Sequence, residues 1–152
     1  MPTACTIIQE KNGLFQRATI RSGGYVSGVG AYLSLFYRNE EKIAELISLG
    51  AVAVIEAEIA DCREQAEPAA DPDTFRTLQE ATTGGQRYVY LWRDNAWHLA
   101  EREVDTDAVG NFREITREMI LAEDPDVEDL LDGVQRPITF KEAIRSMYGP
   151  RH

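Results

Sequence analysis

The amino-acid sequence predicts an α+β fold: an antiparallel sheet of about five strands, a helix pair over one face, and a helical, acidic C-terminal region. Three observations carry that expectation. Hairpin signals at Lys11-Asn12-Gly13 and at Asp94-Asn95 each join two strand-like runs, because these residues tolerate positive φ. Between the hairpins the apolar period switches to helical spacing, at Val29, Tyr32, Leu33 and Phe36 and again at Ile43, Leu46 and Ile47. Beyond residue 103 helical spacing returns together with a concentration of acids. Helices layered on a sheet bury the apolar side of both.

Taken in order, residues 4–9 form a β-branched strand and 14–20 its returning partner. Arg21 to Gly30 then holds four of the eleven glycines, at 23, 24, 28 and 30, and opens a helix over 29–37. Glycine permits positive φ and close backbone approach, which suits a packing turn. The same turn runs into a helix N-terminus, where free N–H groups converge on anions. Asn39 is placed to cap a second helix over 40–49, whose first turn carries Glu40 and Glu41, and Gly50 suits its left-handed end.

A third strand is expected over about 51–55, and residues 56–65 read either as an extension of it or as a helix beginning after residue 57. Residues 66–73, with Pro68 and Pro72, read as a loop. Asp73 or Thr74 is then placed to cap a short helix through Phe75, Leu78 and Ala81, ended by Thr82-Thr83-Gly84-Gly85. The aromatic hairpin 88–93 and 96–101 alternates, with Tyr88, Tyr90 and Trp92 on one face and Val89 and Leu91 on the other. That aromatic face fits either a core against the helices or a stacking platform for a nucleotide base.

Asn111 is placed to cap a helix through Phe112, Ile115, Met119 and Ile120. Asp124-Pro125 reads as a cap followed by proline in the first turn, leading to Gly133. Thr139 to Glu142 fits a capping box that opens a last helix, stopped by Gly149-Pro150. The chain thus divides into a sheet region, 1–103, and a helical acidic extension, 104–152, packed on it as one structural unit.

The net charge of −10 is uneven: residues 101–132 carry −9, against −4 for residues 1–100 and +3 for residues 133–152. Such a field repels nucleic acid and draws basic protein surfaces. A run of charge also serves as a solvated face. No apolar run nears the roughly 18–20 residues of a membrane helix, and Met1 to Cys5 lacks the start of a signal peptide. These features set the expected compartment as the host-cell cytoplasm, with no membrane partner.

Catalytic and metal-binding patterns are sparse. His98 lies in a predicted strand and His152 is the last residue, so a nucleophile–histidine device has no motif around it. Cys5 and Cys62 have no metal or disulfide spacing and suit small buried hydrophobes. Glu123 to Asp129 lacks the mid-loop glycine and ligand alternation of a calcium loop. Pro2 as a catalytic amine would need Met1 removed. No Walker or dinucleotide fingerprint occurs, and no cofactor is expected.

Residues 4–55 resemble a family of small uncharacterised proteins of bacteriophages and prophages. That family has two strands, a His-Trp-Asp-Gly-Tyr-Pro-x-Gly-x-Gly turn, and two helices. The matching residues are Gly24, Tyr25, Ser27, Gly28, Val29 and Gly30, then Leu33, Leu35, Tyr37, Glu41, Lys42, Leu46, Ile47, Leu49 and Gly50. Arg21, Ser22 and Gly23 stand where the family has His, Trp and Asp, and Val26 replaces its Pro. The resemblance implies a phage or mobile-element origin rather than a reaction.

Two functional expectations follow. One is a phage-encoded, anti-CRISPR-like inhibitor that antagonises a host defence complex without catalysis. It would occupy a basic host surface with Glu114, Glu118, Glu123, Asp124, Asp126, Glu128 and Asp129. The alternative is a nucleotide or small-molecule binder using Arg17, Arg21, Gly24, Tyr25, Ser27, Gly28, Tyr90 and Trp92. Under either, the C-terminal helices are expected to flank the sheet or to mediate self-association as a homodimer.

Overall fold

The fold, obtained as a computed structural model, is described for residues 3–67, 72–84, 86–103 and 108–148. Pro2, Pro68, Gly85, Asp105, Asp107, Gly149, Pro150 and His152, on which expectations above partly rest, lie outside these residues. Strand β1 (Cys5–Lys11) turns at Asn12 (φ 54°) and Gly13 (φ 75°) into β2 (Leu14–Ile20). Two positive-φ residues make the tight turn whose twist matches the strands. A π-helical turn, Val26–Gly30, then leads into α1 (Ala31–Phe36), and α2 (Glu40–Ser48) follows. Asn39 caps α2 as expected, accepting the Glu41 and Lys42 amides at 2.8 and 3.1 Å, and Gly50 adopts φ 78°.

Next come β3 (Ala51–Val52), α3 (Ile59–Glu64), β4 (Asp73–Phe75) and α4 (Leu78–Thr82). The second hairpin, β5 (Tyr88–Arg93) and β6 (Ala96–Glu101), turns at Asp94 (φ 53°) and Asn95 (φ 62°). A short β7 (Arg113–Glu114) precedes α5 (Arg117–Glu123), a 3-10 turn (Pro125–Val127), α6 (Glu128–Leu131) and α7 (Phe140–Tyr148).

The sheet corrects the expected architecture. It is mixed, with seven strands in the order β3-β2-β1-β5-β6-β7 and β4 beside β2. Strands β1 and β5 run parallel, Cys5 opposite Tyr88 and Gln9 opposite Trp92, and β3 runs parallel to β2. Turn chemistry fixes the partner inside each hairpin, but the seam between hairpins joins strands about eighty residues apart. The excursion between β2 and β5 returns the chain to the end where β1 began, so β5 enters in the same direction.

Three boundaries also differ. Strand β3 ends at Val52 instead of residue 55. Residues 73–75 are extended along the outer edge of β2, where Arg17 stacks 4.5 Å over the Phe75 ring, and Thr77 caps the helix instead of Asp73 or Thr74. Residues 113–114 extend the sheet at β6, and Thr116, not Asn111, caps α5 by accepting the Met119 amide at 3.2 Å. In both helices the free strand edge outcompeted local helical spacing.

One face of the sheet, with Cys5, Ile7, Ile20, Tyr90, Trp92 and Trp97, is buried with α1, α2 and Ile120 of α5. The other face, with Ile8, Phe15, Val89 and Leu91, packs on Ala81, Leu78 and Phe112. The aromatic row of β5 is therefore core. Both Cys5 and Cys62 are free and fully buried. Among the described residues, no helix is long and apolar enough to cross a membrane.

Candidate functional site

The Gly-rich turn is held by close contacts at Gly24 and Gly28. Gly23 takes φ 71°, and the carbonyl of Gly23 accepts the Val29 amide at 2.9 Å. A Cβ on Gly28 would stand 2.4 Å from that carbonyl oxygen. A Cβ on Gly24 would meet the Cys5 Cβ and the Thr3 carbonyl, both at 2.9 Å. The Gly24 carbonyl accepts the buried Tyr90 hydroxyl at 2.7 Å, which ties the turn to the sheet core. Packing therefore requires glycine at 24 and 28, and the positive φ favours it at 23.

The amides of Gly28, Val29 and Gly30 bond to the Tyr25 and Gly23 carbonyls, and the remaining donor of the turn, at Ser27, holds an anion from within the chain. Glu123, 96 residues downstream, accepts the Ser27 amide at 2.8 Å and the Ser27 hydroxyl at 2.6 Å through one carboxylate oxygen. A carboxylate is the favoured partner at a helix N-terminus. Two of the sequence-predicted groups, the Gly-rich turn and the acidic segment, thus meet each other.

The eight residues of the small-molecule alternative do not converge. Arg17 lies on the opposite sheet face, donating to the Ala81 and Thr83 carbonyls and pairing with Asp73 at 3.3 Å. Arg21 forms a two-pronged pair with Glu67 at 2.7 and 3.1 Å. Tyr90 and Trp92 are buried, and Trp92 packs edge-to-face on Trp97. Tyr25 is 45% exposed, its ring edge-to-face with Tyr88.

Of the seven acids, Glu123 is bonded to Ser27 and Asp124 caps the following turn, accepting the Asp126 amide at 3.0 Å. Glu128 shares Arg117 with Asp132, at 3.4 and 2.7 Å. Glu114, Glu118, Asp126 and Asp129 are exposed and, among the described residues, carry no ion pair. Arg117 is the one base in the sequence from 114 to 132.

A cleft of about 250 Å³ lies beside the turn, walled by Gly23, Gly28, Val29, Tyr32 and Ile55 on one side and by Ile138, Phe140 and Ala143 on the other. Glu56 lines it and is only 3% exposed. Its carboxylate accepts the Phe140 amide at 3.0 and 3.3 Å, at the start of α7. Thr139 caps α7 beside it, accepting the Glu142 amide at 3.0 Å and donating its hydroxyl to the Glu142 carboxylate at 3.3 Å, so the cap is present without the backbone arm of a capping box. Behind it, the Tyr37 hydroxyl donates to the Glu56 carbonyl at 2.6 Å and contacts Cys62 Sγ at 3.2 Å.

Burial raises the Glu56 carboxyl above the usual carboxylate range. The Phe140 amide opposes this, and Asp61 and Glu142 add to it. Burial likewise raises Tyr32, with the Glu56 charge adding to the shift. Sequence reasoning missed Glu56. The available signal was the pair Glu56 and Glu58 interrupting the apolar run from Ala51 to Ala60, with nothing in it to single out Glu56. Among the described residues no cluster of three or more potential ligands could hold a metal. The chain matches no protein-family model, no curated protein and no solved structure.

Proposed function

We propose that this chain is a phage- or mobile-element-encoded binding protein that antagonises a host defence complex, without catalysis, by covering a basic host surface. The observation that carries this reading is the set Glu114, Glu118, Asp126 and Asp129, exposed and without an ion pair among the described residues. Carboxylates arranged this way raise the encounter rate with a positive partner and suppress wrong ones. Glu123, Asp124 and Glu128 serve the reading less directly, since each already has a partner within the chain.

The test is capture from host lysate at about 50 mM salt, followed by assay of the captured complex for loss of its activity. Wild type should retain a partner that Glu118→Lys/Asp126→Lys/Asp129→Lys releases. Raising salt to about 500 mM should weaken capture, because the screening length falls well below about 10 Å. Capture and inhibition that survive the triple reversal unchanged would contradict the reading. A second reading, binding of a small molecule beside the Gly-rich turn, is favoured by the cleft at Glu56, and titration of nucleotides by calorimetry separates the two.

A further inference from the structure

We infer that the Glu56 cleft receives one alkyl cation, the ammonium or guanidinium group of a lysine or arginine side chain carried by the basic partner. The assignment rests on the acidic-surface reading for the source of that side chain. Four features of the cleft support it.

Glu56 is nearly enclosed and, among the described residues, forms no ion pair with a lysine or arginine. The charges that bear most on its carboxyl are Asp61 of α3 and Glu142 of α7, both acids; Arg136 is bonded to Glu142 at 2.8 Å, and the Lys42 ammonium is held by the Phe36 and Ala57 carbonyls, each at 2.7 Å. A buried carboxylate left without a cation is costly, and an incoming cation removes that cost. The walls suit the rest of such a side chain. Val29, Ile55 and Ala143 give an apolar sheath for a methylene stem, and Tyr32 and Phe140 add aromatic surface beside the charged end.

Size limits the occupant. At about 250 Å³ the space falls below the roughly 300–1,000 Å³ of sites that enclose drug-sized ligands, and fits one long side chain. The rim is sticky as well: Ile138 and Phe140 line the cleft and are about half exposed. A charged anchor seated in a desolvated pocket with an apolar rim is the usual form of an interface hot spot.

The probes are agmatine, as a free alkylguanidinium, and an arginine- and lysine-rich helical peptide, followed by amide chemical shifts. Agmatine should give saturable shifts confined to Gly23, Gly28, Tyr32, Thr139 and Ala143. Glu56→Gln should weaken binding at least tenfold. Because Glu56 also holds the start of α7, Ala143→Phe provides a second variant that fills the cleft and leaves the carboxylate in place; it should block agmatine equally. Glu118→Lys/Asp126→Lys/Asp129→Lys should leave agmatine affinity within twofold while weakening the peptide at least tenfold.

No agmatine shift, shifts spread over α5 and α6, or affinity unchanged in Glu56→Gln would overturn the assignment. If agmatine binds but the peptide ignores the triple reversal, the acidic-surface reading fails while the cleft stands. If agmatine binds and the peptide leaves its binding to the cleft unchanged, the source is a free amine rather than a partner side chain, and the assignment to a partner falls.

Discussion

Two C-terminal helices approach the same Gly-rich turn on different terms. Helix α5 buries Ile120 in the main core and fixes itself to the turn through Glu123 and Ser27. Helix α7 meets the turn across a cleft, with Glu56 bonded to its first amide, and leaves Phe140, Ile144 and Met147 exposed on one side. In one place a carboxylate takes the amide and hydroxyl of a single residue, Ser27. In the other it is buried beside an opening. The contrast gives the inner face of α5 to packing and leaves an open cleft beside α7.

The largest effect that would sharpen this contrast is on packing. Ile120→Ala should lower unfolding stability by about 2–4 kcal/mol, from lost burial and the cavity left behind. Ile144→Ala should change it by less than about 0.5 kcal/mol, as exposed positions do. Urea denaturation of both variants decides the matter, and equal losses would erase the distinction between the helices.

Next comes the turn itself. Gly28→Ala puts a methyl 2.4 Å from the Gly23 carbonyl oxygen and should cost about 1–3 kcal/mol. Gly133→Ala meets no atom within 4 Å, so only its φ of 74° opposes the change, at about 1 kcal/mol. Thermal melts that rank the two in reverse would show that the turn is less tightly packed than its contacts indicate.

Ser27→Ala removes one of the two bonds to Glu123 and should cost about 0.5–1 kcal/mol, a modest value because the pair is exposed. Combined with Glu123→Gln, the losses should be less than additive, since both changes break one contact. Full additivity would separate α5 from the turn.

The smallest effect is a pH dependence. Burial raises the Glu56 carboxyl in the folded protein, so the folded state binds that proton more tightly than the unfolded chain. Its stabilising contribution is complete below the ordinary carboxylate range and is lost as pH rises through the raised value. The melting temperature of Glu56→Gln relative to wild type should therefore be more favourable near pH 7.5 than near pH 5. A difference that is flat with pH would mean that the carboxylate is not held in a desolvated site.

Much of the local structure was legible. Asn12-Gly13 and Asp94-Asn95 announced both hairpins, Asn39 and Thr139 announced two helix starts, and period-two alternation placed Tyr90 and Trp92 on one face. The parallel seam of β1 with β5 was not legible, because no local signal encodes which edges of two distant hairpins meet. Neither were β4 and β7, where short extended pieces took a free edge against helical spacing. The candidate site was legible only in halves. Gly28 and the acids stood out in the sequence, but the Glu123–Ser27 bond and the Glu56 cleft depend on contacts 96 and 84 residues apart.

Amide hydrogen exchange on the intact chain tests the contrast between α5 and α7 most directly. Amides within α5, such as Ile120, should exchange only through global unfolding, at the slow rate of the β1 and β5 cores. Amides of α7 should exchange through a local opening that is faster by an order of magnitude or more, and Glu56→Gln should speed α7 alone. Equal protection of α5 and α7, or a Glu56→Gln effect that spreads evenly over both, would contradict the account.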